Sequence, residues 1–138
     1  MTDPEIRALL LSTRTIAVVG ISDRADRDSH RVAGYLQRAG YRIFPVNPGL
    51  EEVLGLKCLP SLRDVPEKID LVDVFRRSEF VPGVVDDAIA IGAKAIWLQD
   101  GVVHEEAAAK ARAAGLLVVM DDCTMRRHFQ LARDAKHA

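Results

Sequence analysis

The chain has 138 residues, with 19 Lys and Arg against 20 Asp and Glu and a formal net charge of −1. So even a balance leaves no net basic field to collect phosphates, which argues against a general nucleic-acid binder or a membrane-surface protein. Hydrophobic residues reach 49%, too many for intrinsic disorder, and the length suits one domain over residues 1–138 with a sizeable core.

The longest apolar runs, such as residues 115–120, are far too short to span a bilayer, and no secretory signal pattern opens the chain. Cys58 and Cys123 lie far apart and outside any CxxC spacing. Two reduced thiols and a cytoplasmic location are therefore expected.

Asp3-Pro4-Glu5 reads as a helix start, with a capping carboxylate ahead of proline, and Ile6, Leu9 and Leu10 mark the buried face. Residues 15–19 form an apolar run that ends at Gly20, a buried strand. Val32, Leu36 and Ala39 recur at helical spacing over residues 29–39, and Gly40 closes that helix. Residues 42–46 are the second strand. Pro45 within it has no amide hydrogen, so this strand needs a free edge or a bulge there. Residues 47–70 are the least regular, with a turn at Pro48-Gly49, a short extended piece at residues 57–59 and one helical turn at residues 61–65. A third strand at residues 71–75 follows, then a helix within residues 79–91 starting near Pro82. Residues 95–98 are the fourth strand, and residues 105–114 an alanine-rich helix. Residues 116–120 are the fifth strand, and Thr124 is expected to cap a last helix running to about Ala135.

Strands that are apolar throughout and alternate with helices predict an α/β fold, a doubly wound, Rossmann-like parallel sheet of five strands. The expected strand order is 3-2-1-4-5, with ligands bound beyond the carboxyl ends of the strands where the order reverses. That reversal would fall between strands 1 and 4. The loop after strand 1 suits a phosphate: Gly20 allows close approach, Ser22 supplies a hydroxyl, and the next helix offers free N–H groups. It is not the dinucleotide fingerprint, because no glycine follows Gly20 until Gly34. Asn47, rather than an acidic residue, ends strand 2. Both features count against NAD. Arg24, Arg27, Arg31 and Arg76 map near this edge among Asp23, Asp26 and Asp28 and suggest a polyanionic ligand. His30, His104, His128 and His137 form no metal-ligand spacing, so no metal is expected. Cys123 and His128 stand close enough in sequence to approach one another, although a packed thiol is the simpler expectation.

Val18-Val19-Gly20-Ile21-Ser22, Tyr35-Leu36, Gly40-Tyr41 and Pro45-Val46-Asn47-Pro48 together resemble the small bacterial coenzyme A-binding proteins. So do residues 72–76, Gly92-Ala93-Lys94, residues 97–101 and Asp121-Asp122-Cys123. The chain is also similar to the CoA-binding domain of the succinyl-CoA synthetase alpha subunit, whose phosphorylated histidine belongs to a second domain that this sequence lacks. The resemblance implies CoA or an acyl-CoA as ligand, bound by a module with no catalytic residues of its own. Gly20, Ile21, Ser22, Asp23, Arg24 and Ala25 would contact the phosphates, with Ser29 and His30 opening the next helix. Asn47 and Pro48 would lie beside the nucleotide, and Phe75 and Arg76 under the pantetheine or adenosine. Leu98, Gln99, Asp100, Gly101 and Val102 would line the switch point, and Cys123 is a candidate thiol contact. The synthetase places a lysine where this chain has Leu50, so either Arg24 or Arg76 is expected to supply the positive charge or the affinity is expected to be lower. Asp122 and Arg127 also replace the usual arginine and glutamate of the last corner. The alternatives are a CoA-ligase or thiol-transfer component working with a protein partner, and a nucleotide-responsive interaction protein.

Overall fold

The computed structural model describes residues 1–136. In chain order the elements are α1 (Asp3–Ser12), β1 (Thr15–Val19), α2 (Asp28–Arg38), β2 (Arg42–Val46), β3 (Glu52–Val53), β4 (Leu56–Lys57) and β5 (Leu71–Val74). They continue with α3 (Val81–Ala90), β6 (Ala95–Leu98), α4 (Glu105–Ala113), β7 (Leu117–Val119) and α5 (Thr124–Lys136). Single 3-10 turns at Leu62–Asp64 and Ser78–Phe80 precede β5 and α3. The cap of α1 is Thr2, not Asp3: its hydroxyl accepts from Glu5 N–H while the Glu5 carboxylate accepts from Thr2 N–H, a reciprocal capping box. Thr124 is the first residue of α5, and its hydroxyl is committed elsewhere, as described below.

Alternate residues of each strand go to opposite faces, which accounts for the continuous apolar runs. Ile16, Val18, Ile43, Leu71 and Trp97 pack with the buried faces of α1 and α2 and with Cys123 at the start of α5. Ala17, Val19, Val72, Val74, Ile96 and Leu98 pack under α3 and α4. The sheet is thus covered on both sides.

The five parallel strands lie in the order β2-β1-β5-β6-β7. Counting these strands along the chain, this is 2-1-3-4-5, and it corrects the expected 3-2-1-4-5. The reason lies on the outer side of β2. Pro45 has no N–H for another strand, and on that side the backbone of Leu59 donates to the Pro45 carbonyl and accepts from Asn47 N–H, both at 2.9 Å. β2 therefore stays at the edge. The chain returns past β1 and enters as β5, pairing Val18 with Asp73 and Val19 with Val74. The reversal consequently falls between β1 and β5, the other common doubly wound arrangement. Residues 98–102, at the end of β6, are one strand removed from it. The irregular stretch also holds a small antiparallel hairpin, β3 with β4, turned by Leu54 and Gly55, both at positive φ.

Candidate functional site

A cleft opens over the carboxyl ends of β1, β2 and β5. Its larger lobe has a volume of about 970 Å³, at the upper end of the roughly 300–1,000 Å³ usual for small-molecule sites. Gly20, Asn47, Pro48, Phe75 and Arg76 form its floor. Residues 60–63 and the start of α3, with Gly83 and Val84, form its walls. A second lobe of about 530 Å³ lies over the start of α2 and is lined by Gly20, Ser22, Ser29 and Phe75, with Arg24 and Arg27 alternating with Asp26 and Asp28. The two lobes meet at Gly20 and Phe75. Gly20 is required there: its φ is +87°, and a Cβ would come within 2.7 Å of the Phe75 carbonyl oxygen.

The loop after β1 is folded back onto α2. Ser22 N–H donates to Ser29 Oγ (2.9 Å), His30 Nδ1–H donates to the Ser22 carbonyl (3.0 Å), and Arg24 N–H donates to Ser22 Oγ (3.1 Å). Asn47 braces the same loop from β2, donating from Nδ2 to the Ile21 carbonyl while its Oδ1 accepts from Gly49 N–H, both at 2.8 Å. At the head of α2, Arg27 gives no side-chain cap. The N–H groups of Asp28, Ser29 and His30 have no hydrogen-bond partner among the described residues. A helix start of this kind carries a partial positive charge.

The charges on the walls largely cancel. Asp87 pairs with Arg63 (2.7 Å) and Asp86 with Lys110 (2.6 Å). Arg24 pairs with Asp26 (3.3 Å), and Asp28 with Arg31 (2.6 Å). Arg77 reaches Glu79 only loosely, at 3.7 Å. Arg76 and Arg27 have no ion pair among the described residues, and the Arg76 guanidinium lies 4.3 Å from the centre of the Phe80 ring.

The other expected site residues are placed differently. Ile21, Leu98 and Val102 are buried in the core, and Asp23 and Ala25 are exposed on the loop. Gln99 is buried beside Asp73, donating from Nε2 to Asp73 Oδ1 (2.5 Å) and to Thr124 Oγ1 (2.9 Å), while the Thr124 hydroxyl donates to Asp73 Oδ2 (3.0 Å). Burial pushes the Asp73 carboxyl up to about 7 against these bonds. Asp100 forms a two-pronged pair with Arg126, whose hydrogen bond holds its carboxyl below the usual range. Gly101 N–H donates to Asp121 (2.7 Å). Arg127 binds Asp122 and Asp3, so the substituted corner is a network of ion pairs. Residues 98–102 line neither lobe. Nor does Cys123, 7% exposed, and burial raises its thiol pKa. His128 is not its partner, because His128 Nδ1 is bonded to the Tyr35 hydroxyl (2.9 Å) and the ring packs edge-on against Tyr41. His104 caps α4, accepting from Ala107 N–H, and His137 lies outside the described residues.

The sequence reading missed the walls of the large lobe. Phe80, Gly83 and residues 60–63 reach it only because the order 2-1-3 brings the 3-10 turn and α3 to the end of β1. The cues present were local: Ser61 capping the 3-10 turn and Pro82 in the first turn of α3.

Residues 14–128 match the family model described as a CoA binding domain. An uncharacterized protein of Bacillus subtilis, YneT, is 46% identical over 124 residues, spanning 90% of this chain and 92% of that protein. The ADP-forming acetate–CoA ligase II of Archaeoglobus fulgidus is 29% identical over 107 residues, which are 76% of this chain but only 16% of the ligase. Among solved structures, a hypothetical protein from Pyrococcus horikoshii superposes with a TM-score of 0.93 at 44% identity, covering 96% of this chain and 93% of that one.

Proposed function

We propose, for a chain that belongs to the CoA-binding domain family, that it binds coenzyme A or an acyl-CoA along the carboxyl edge of its sheet as a non-catalytic module. The observation that carries this reading is the two-lobed cleft with its separate anion-seeking ends. One end presents the three unpartnered amides of α2, suited to a diphosphate. The other presents Arg76 in a lobe whose aspartates are already neutralised. Three candidate groups near the carboxyl edge are already committed: Cys123 is buried, Asp100 is paired, and the His30 ring is bonded to backbone. A thiol-transfer role for Cys123 gains no support from a sulfur whose pKa is raised.

Titration calorimetry with CoA, acetyl-CoA and NAD tests the proposal. CoA and acetyl-CoA are expected to bind, and NAD far more weakly, because the glycine fingerprint and the acidic residue after β2 are both absent. Equal affinity for NAD would overturn it.

The acetate–CoA ligase relative supports a second reading, a CoA-binding component that works with a partner chain. It predicts ATP-dependent acyl-CoA formation only when that partner is supplied.

A further inference from the structure

We propose that Arg76 reads a phosphate carried on the ribose of the bound nucleotide, so that the site selects 3′-phosphorylated CoA over dephospho-CoA. The inference rests on the CoA reading above and adds the residue and the ligand group that set its selectivity.

Arg76 is held in place before any ligand arrives. Its stem lies against the backbone of Gly20, where an added Cβ would meet its Cδ at 2.9 Å. Its guanidinium stacks on Phe80 at 4.3 Å. A guanidinium stacked on a ring keeps its N–H edge free, and that edge fits two phosphate oxygens at once. Of the other arginines of the large lobe, Arg63 is hydrogen-bonded to Asp87, while Arg77 is exposed, reaches Glu79 only at 3.7 Å and has no ring beneath it among the described residues to hold its guanidinium. In the small lobe Arg24 is paired with Asp26, and Arg27 is exposed and stacked on no ring. The small lobe already offers the α2 amides to an anion, so a ligand with one phosphate cluster would leave Arg76 unanswered. A ligand with two separated clusters, a diphosphate and a ribose phosphate, meets both lobes across the Gly20–Phe75 junction.

The test compares CoA with dephospho-CoA by calorimetry on the wild type, Arg76→Met, Arg76→Lys and, as the rival, Arg27→Met, with thermal melts confirming that each variant is folded. A charge-assisted bond of about 1.5–3 kcal/mol corresponds to a preference for CoA of roughly 10- to 150-fold in the wild type. Arg76→Met should bring the ratio close to one, Arg76→Lys should keep part of it, and Arg27→Met should keep nearly all. A ratio that survives Arg76→Met, or collapses in Arg27→Met instead, overturns the assignment while leaving CoA binding intact. So does a wild type that binds both ligands equally. A wild type that binds neither overturns the CoA reading and the assignment together.

Discussion

Asn47 ends β2 with both halves of its amide committed, one to the Ile21 carbonyl and one to Gly49 N–H. Its place after the second strand suggested a residue beside the nucleotide, where a carboxylate would repel a ribose phosphate. Asn47→Asp keeps the acceptor for Gly49 but sets a carboxylate oxygen against the Ile21 carbonyl, whereas Asn47→Ala loses both bonds. Each change should cost roughly 1–2 kcal/mol of stability with no ligand present, measured by urea denaturation. An unchanged midpoint in both variants would mean that this brace does not hold the loop. Ligand affinities of either variant therefore include the cost of the lost brace. At this scale the position of Gly20, Ser22, Phe75 and Arg76 along the cleft was legible, because residues just past an apolar run stand at the carboxyl edge of a parallel sheet. Asn47's bonds were not. They depend on where the β1 loop lies in space, and one strand's sequence does not record its neighbour's loop.

The head of α5 is tied to the sheet through Thr124, whose hydroxyl donates to Asp73 on β5 and accepts from Gln99 at the end of β6. Thr124→Val keeps the shape but leaves the fully buried Asp73 carboxyl short of one partner. It is expected to destabilise the protein by about 1–3 kcal/mol, with Thr124→Ser close to wild type. Amide exchange along α5 should rise in the valine variant, and equal stability of the two variants would contradict the tie. Strands and helices were legible as elements because short branched runs alternate with amphipathic stretches bounded by Gly40, Gly92 and Gly115. Their order was not, although one residue held the clue. Pro45 demands an edge, and in the order 3-2-1-4-5 the second strand would be interior. The proline constrains one ladder, whereas the order depends on which way residues 47–70 travel, and that stretch has no strong periodicity. The β3–β4 hairpin was missed for a related reason: its turn places Leu54 at φ 55°, where Asn or Gly is the usual signal.

Across the whole molecule, the dependence of stability on pH is a balance among groups that the fold displaces in opposite directions. Asp73, between Val18 of β1 and Trp97 of β6, forms no ion pair among the described residues, and burial raises its carboxyl from 3.8 to about 7. A raised carboxyl favours the folded state when protonated. Its contribution is complete below about pH 4 and is lost as pH rises toward about 7. His128 runs the other way: burial beside Tyr35 and Tyr41 lowers its pKa from 6.5, so its contribution is complete above that value and is lost as pH falls through its lower folded value. Asp70, bonded to the N–H groups of Arg14 and Thr15, and Asp100, bonded to Arg126, are both lowered and lose their contributions only in stronger acid. As pH falls below about 6.5 the Asp73 and His128 contributions therefore change in opposite directions, and the wild-type curve alone conceals both. Asp73→Asn separates them, because an amide can accept from Gln99, donate to Thr124 and carry no charge at any pH. Its stability relative to wild type should climb from about pH 4 to about pH 7 and then level off, a change of roughly 1–4 kcal/mol across the window. Urea denaturation of both proteins at several pH values across that range provides the measurement. A difference that stays flat would show that Asp73 keeps an ordinary carboxyl in the fold, and that Gln99 and Thr124 fully offset its burial.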